Sequence, residues 1–268
     1  MAGRLAILAG GGALPVALAR AYPEAVQIGF AGVPHGLGAG AGEHRFETLG
    51  TLIAALRRAG VSRIVLAGSL ARPSLDPTAF DDFTKAVAPR LLAAMQGGDD
   101  GLFSAVISIF EEQGFDVLGA HELLDDLAAG PGFLAGPLMD AEAEADAARA
   151  ADILAALSPL DIGQGCVVAG GQCLGIETAQ GTDALLGFVA ATDPAHRPKA
   201  AGVFVKAAKR GQDLRVDMPA IGPTTIAGVA AAGLAGLVIE PGRVMILERD
   251  QTFAALAQSG LFLATRSL

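Results

Sequence analysis

At 268 residues the chain has room for one large domain or two modest ones, and its 52% hydrophobic content with 36 glycines gives it ample core. That excludes disorder and a disulfide-stapled miniature. Nineteen basic against 28 acidic residues leave a net charge of −9, so there is no general attraction to nucleic acid or anionic membrane, and an anionic ligand must be held locally by Arg, Lys, a metal or backbone amides.

With no Trp and one Tyr, the chain has little from which to build stacking platforms for nucleic acid. Cys166 and Cys173 match no zinc spacing and sit in an apolar pattern, which predicts buried free thiols. The longest apolar run, Ile226 to Ile239, is too short and too glycine-rich to span a bilayer. The N-terminus imitates a signal peptide, but Gly10 to Gly12 and Pro15 break it where a strand–turn–helix would want them. A soluble cytoplasmic protein is expected, with room for contact with a membrane at one face.

In chain order, Leu5 to Ala9 reads as a buried strand, Gly10 to Gly12 as a tight loop, and Leu14 to Ala21 as a helix with Pro15 in its first turn. Such a loop offers backbone amides to a phosphate, which makes Gly11, Gly12, Ala13 and Leu14 candidate ligand contacts. It also invites a Rossmann dinucleotide reading. Against that, Pro15 stands where the third glycine belongs, and the second strand, Ala25 to Phe30, ends without an acidic residue for a ribose. A purely structural turn stays open. Glu43 to Glu47 reads as a short strand, Thr48 to Ala59 as a helix closed by Gly60, and Arg63 to Ala67 as a third buried strand. Arg72 lies just beyond that strand, where open α/β sheets bind ligands, and is a candidate phosphate contact or an exposed loop residue.

Helices are expected over Phe80 to Met95 and Leu102 to Gln113; Asp99 and Asp100 between them either cap a helix or line the cleft. Phe115 to Leu118 reads as a short strand and Ala120 as the opening of a helix bearing His121, a structural or ligand-contacting histidine. Gly130 to Pro137 is rich in Gly and Pro, which predicts a linker over 131–137 between domains at 1–130 and 138–268. Asp140 to Leu157 reads as an Ala-rich helix with a solvated acidic first half. Gly165 to Gly170 and Cys173 to Thr178 form a hairpin pattern joined at Gly171-Gln172, with Glu177 near its end. Thr182 is a natural N-cap for the next helix, with Asp183 just inside. Ala201 to Lys206 reads as a strand.

The stretch Asp213-Leu-Arg-Val-Asp217 alternates carboxylate, guanidinium and carboxylate. In an extended strand all three share one face. Gly222 and Pro223 then make a turn, and Thr224 or Thr225 caps an apolar helix starting near Ile226. This face suits a divalent cation and a phosphate; a strand-edge ion pair is the bland alternative. The remaining strands are expected at Gly236 to Glu240, Val244 to Leu247 and Leu261 to Thr265, with a helix from Thr252 to Ser259. Strands and helices alternate throughout, so the class is α/β: an N-terminal Rossmann-like open sheet and a C-terminal mixed α/β domain.

Leu8-Ala-Gly-Gly-Gly-Ala-Leu-Pro15, Gly98-Asp-Asp-Gly-Leu102, Leu118-Gly-Ala-His-Glu-Leu-Leu124, the block from Leu174 to Leu186 and the block from Gln212 to Thr225 together resemble the LpxI-type UDP-2,3-diacylglucosamine pyrophosphatases of Gram-negative lipid A synthesis. The resemblance implies two domains holding a lipid-linked UDP-sugar between them. It also implies Mg²⁺-dependent cleavage of the diphosphate to UMP and 2,3-diacylglucosamine 1-phosphate. Asp217 and Asp213 are then first choices as metal ligands or water-orienting base, with Glu177 third, while Arg215 and Lys206 neutralise the phosphates. A homodimer and transient contact with the inner membrane surface are further expectations. The runner-up is a nucleotide- or nicotinamide-binding sensor or oxidoreductase built on the glycine loop, and a third reading is a scaffold.

Overall fold

Leu5 to Ala9 are an unbroken buried run in β1 (Arg4–Ala9), the pattern of a strand covered on both faces. The computed structural model describes residues 3–70, 75–95 and 99–267. Two compact units emerge: Met1–Asp125 with Asp213–Asp217, and Asp126–Gln212 with Met218–Leu268.

In the first unit β1 leads through the Gly10–Gly12 loop into α1 (Ala13–Ala21), then β2 (Val26–Phe30), β3 (Gly42–His44), α2 (Leu49–Arg58) and β4 (Val61–Ala67). Helices α3 (Asp82–Met95) and α4 (Asp99–Glu112), strand β5 (Asp116–Leu118) and the one-turn helix α5 (Ala120–Leu123) complete it. The sheet has five strands in the order β3-β2-β1-β4-β5, all parallel, as the Rossmann-like expectation requires. Leu8, Ile28 and Ile64 pack with Leu52 and Leu56 of α2 and with Ile107 and Phe110 of α4. The strand expected over Glu43 to Glu47 is shorter, because Phe46–Thr48 turn into a 3₁₀ helix.

The second unit opens with β6 (Leu134–Ala135), which lies inside the stretch read as a linker and pairs antiparallel with a later strand. After it come α6 (Ala141–Leu157), β7 (Gly165–Ala169), β8 (Gln172–Ile176), α7 (Gly181–Ala190) and β9 (Val203–Lys206). Then follow β10 (Ala220–Ile221), α8 (Pro223–Ala231), β11 (Gly236–Ile239), β12 (Met245–Ile246), α9 (Arg249–Ser259) and β13 (Phe262–Thr265). Six strands run in the order β6-β13-β11-β9-β7-β8; β13, β11 and β9 are parallel, and the edges are antiparallel. Strand alternation divides two cores. Val203, Val205, Cys166, Val168 and Val238 meet Ala147, Ala150 and Leu154 of α6. Phe204, Val167, Leu237 and Ile239 meet Leu186 of α7, Ile226 of α8 and Leu256 of α9.

Three local expectations are corrected. The hairpin turn is Gly170-Gly171, both at positive φ (54° and 75°), one residue earlier than expected. Its two amides donate to Asp146 Oδ2 and Oδ1 at 2.9 and 2.7 Å, and Asp146 is 2% exposed; the "solvated" half of α6 therefore contains a buried carboxylate that caps a turn. Of the two thiols, Cys166 is buried but Cys173, on the edge strand β8, is exposed.

Candidate active site

Asp213 to Asp217 do not form a strand. Asp213 Oδ1 accepts from the Arg215 amide at 3.0 Å, and the Asp213 carbonyl accepts from the Val216 and Asp217 amides at 3.4 and 3.2 Å. An aspartate bonding the amide two residues on makes an Asx turn, and that local bond wins over the alternation that suggested a strand. The turn joins the first unit, where Val216 packs against its core. Arg215 Nε and Nη2 clasp the Asp213 carboxylate at 3.0 and 2.7 Å, and Nη1 donates to Glu111 Oε1 at 2.7 Å and to the Val117 carbonyl at 3.4 Å. The guanidinium is thus fixed from three sides: its own turn, the end of α4 and β5.

This fork sets both charges. Hydrogen bonds from Arg215 hold the Asp213 carboxyl below the usual carboxylate range against the opposing effect of burial. Bonds to Asp213 and then Glu111 push Arg215 upward, so it stays cationic throughout. A Cβ on Gly119 would lie 2.4 Å from the His121 ring and 3.3 Å from the Arg215 Cα, which places imidazole and turn against the same backbone. His121 Nδ1 is buried and has no hydrogen-bond partner among the described residues. An orphaned ring nitrogen beside an arginine fork is a group prepared for a further partner.

The carboxyl ends of β1, β4 and β5 fall on one edge, and strand order reverses between β1 and β4. There the Gly11 and Ser69 backbones bond reciprocally at 2.7 and 2.9 Å, and the Gly10 amide donates to the Ala67 carbonyl at 2.7 Å. A Cβ on Gly10 would stand 2.5 Å from the Ser69 carbonyl oxygen. Two of the three glycine amides are therefore spent in holding the loop to β4. Gly12, at φ 96°, precedes α1 without a side-chain cap, so the first-turn amides of Ala13 and Leu14 are what this helix presents.

The second unit gathers a different polar cluster. Lys206 ends β9, and Glu177 follows β8; they are 5% and 9% exposed. Lys206 Nζ donates to Thr182 Oγ1 and lies 3.5 Å from Glu177 Oε2, which accepts from Thr182 Oγ1 at 3.1 Å. Thr182 is not the N-cap; α7 starts at Gly181 with Gln180 before it, because the buried charges claim the hydroxyl. A Cβ on Gly165 would come within 2.6 Å of Glu177 Oε2, so that glycine makes room for the carboxylate. Asp183 is exposed in the first turn of α7. Helix α8 starts earlier than expected, with Pro223 in the first turn after Gly222, whose amide donates back to Thr225 Oγ1 at 3.3 Å; Thr224 is exposed.

Asp213, Arg215, Asp217 and His121 therefore fall in one unit and Glu177, Thr182 and Lys206 in the other. Arg72 lies outside the described residues, and Asp99 and Asp100 open α4. Asp217 is half-buried at the end of its turn. Among the described residues no group of three or more His, Cys, Asp or Glu gathers as a metal cage. Asp213 and Glu177 already face cations of this chain. A hard divalent cation takes one or two carboxylates and completes its shell with phosphate oxygens and water, so a protein cage is not a condition for holding one. Glu111, which buttresses Arg215 from 104 residues away, escaped sequence reasoning because nothing local marks that pairing.

Residues 4–127 match the family description LpxI N-terminal domain, and residues 130–264 match LpxI C-terminal domain. A protein of Caulobacter vibrioides described as UDP-2,3-diacylglucosamine pyrophosphatase LpxI is 38% identical over 272 residues, covering 97% of this chain and 96% of the relative.

Proposed function

The chain belongs to the LpxI family, and from that premise we propose that it is a UDP-2,3-diacylglucosamine pyrophosphatase acting in lipid A synthesis. It splits the diphosphate into UMP and 2,3-diacylglucosamine 1-phosphate. The observation that carries this reading is the Asp213–Asp217 turn: it supplies a rigid guanidinium for phosphate oxygens and a half-buried carboxylate within five residues. Diphosphate hydrolysis needs just that pairing of charge offset and a group to aim water.

In this reading Asp217 holds Mg²⁺ or orients the attacking water. Bound beside it, Mg²⁺ would offset charge on the phosphate oxygens. Asp213 has a different part from the one first expected, since its oxygens are committed to Arg215: it aims the guanidinium, with Glu111 opposite. His121 Nδ1 donates to or accepts from the substrate, according to its tautomer. No helix among the described residues is long and apolar enough to cross a membrane.

The test is Asp217→Ala in purified protein, with UMP release from UDP-2,3-diacylglucosamine followed in magnesium and in EDTA. Turnover should fall on the order of a hundredfold or more while far-UV circular dichroism stays unchanged. Retained turnover in the variant would remove Asp217 from the mechanism. Turnover indifferent to EDTA would remove the metal, and saturable dinucleotide binding without hydrolysis would favour a nucleotide sensor.

A further inference from the structure

The second unit contains a cavity of about 300 Å³ that none of the residues discussed above as the candidate active site lines. It opens where the chain leaves β9 and β11, the carboxyl-end location at which α/β sheets take ligands. Its volume is at the lower end of small-molecule sites.

Its walls differ in chemistry. Leu154 and Ala155 of α6 give an apolar side. Facing them, the loops after β9 and β11 bring Lys209, Arg210 and Arg243, with Glu240 as the one acidic residue among the described lining residues. Lys209 pairs with Asp161 outside the lining, and Arg243 Nε lies 3.1 Å from Glu240 Oε1. The described lining residues themselves carry three cations against one carboxylate, in a chain whose overall charge is −9.

The loop is also held in place before any ligand arrives. The Ala207 amide donates to the Gln164 carbonyl at 2.9 Å, Ala208 to Glu240 Oε2 at 3.1 Å, Lys209 to Gln212 Oε1 at 3.0 Å and Arg210 to Ser158 Oγ at 2.6 Å. Four successive amides anchored in this way leave little ordering to be done on binding. Arginine and lysine on one side recognise a phosphate, and an apolar wall opposite covers an organic body.

We propose that this cavity binds a phosphate monoester of about nucleoside-monophosphate size. The cavity rests on its own lining, which shares no residue with the candidate active site, although UMP is also a product of the proposed hydrolysis. UMP and glucosamine 1-phosphate share the required chemistry, and the experiment separates them from each other and from bare phosphate.

Isothermal titration calorimetry on the full chain would use UMP, glucosamine 1-phosphate and inorganic phosphate as probes, with wild type, Arg243→Gln and Ala155→Phe. The first variant removes a cation, and the second fills the cavity while leaving every charge in place. One of the two organic esters should bind at least tenfold more tightly than inorganic phosphate. Arg243→Gln should weaken it at least tenfold, and Ala155→Phe should abolish it. Ester binding that survives Ala155→Phe overturns the proposal, whatever Arg243→Gln does. So does inorganic phosphate binding as tightly as the esters, or no saturable binding of any probe at millimolar concentration. The titration requires no turnover, so an inactive protein with an intact cavity response would count against the hydrolase reading alone.

Discussion

Asp213 spends both carboxylate oxygens on Arg215, and that makes the pair a pH-dependent clamp. Its carboxyl titrates below its ordinary value because Arg215 donates to the charged form. Protonation is thus harder in the folded than in the unfolded chain. The clamp's contribution is full above the unfolded aspartate pKa of about 3.9 and fades as pH falls through the lower folded value. Asp213→Asn should cost about 0.5–1 kcal/mol near neutrality, since both partners are partly open to solvent. Urea titrations at pH 7 and pH 3 should show a smaller difference at the acid end; an unchanged difference would mean that the charge on Asp213 does not matter. At this scale the residue types were legible, but their geometry was not. The spacing Asp-x-Arg-x-Asp fits a strand face and an Asx turn equally well, and nothing in the spacing shows that the Asp213 side chain will bond the Arg215 amide.

Parallel strands wrote themselves into the chain as short apolar runs: β1 and β9 are where the hydrophobicity places them, and β4 begins two residues ahead of its expected start because Ser62 and Arg63 interrupt the run. The two-residue strands β6 and β10 were not legible, because a pair of residues is too short to carry a period and forms only when a partner strand is in place. The β7–β8 hairpin shows how a partner overrides local appearance. Its glycine turn is visible in sequence, but its support, Asp146, sits 24 residues upstream in a helix that reads as solvated. Asp146→Ala removes two charge-assisted bonds and strands two amides at positive φ. The expected loss is about 2–4 kcal/mol in chemical denaturation. Asp146→Asn keeps one acceptor and should lose less. Equal losses for the two substitutions would show that helix packing, and not turn capping, explains the conservative geometry of this carboxylate.

The largest departure from linear reading concerns the molecule as a whole: five residues from the second half of the chain complete the first unit. Val216 enters that unit's core, and Arg215 ties the end of α4 to β5. Nothing in the composition around Asp213 announces this, since docking over a hundred residues of sequence leaves no local signature. The consequence is a directional one for local stability. Removing the Val216 side chain's outer methyls and the Arg215 fork should loosen the elements they touch, and hydrogen exchange resolves that loosening element by element. In Arg215→Ala/Val216→Ala, amides of α4 and β5 should exchange about tenfold or more faster, equivalent to losing roughly 1–3 kcal/mol of burial and charge-assisted bonding. Amides of β7, β9 and β11, whose cores the turn does not enter, should keep wild-type rates. Faster exchange confined to β9 and β11 would reverse the assignment. The guanidinium would then belong to the unit its sequence neighbours occupy, and the fork could not serve as the phosphate-facing element of the site.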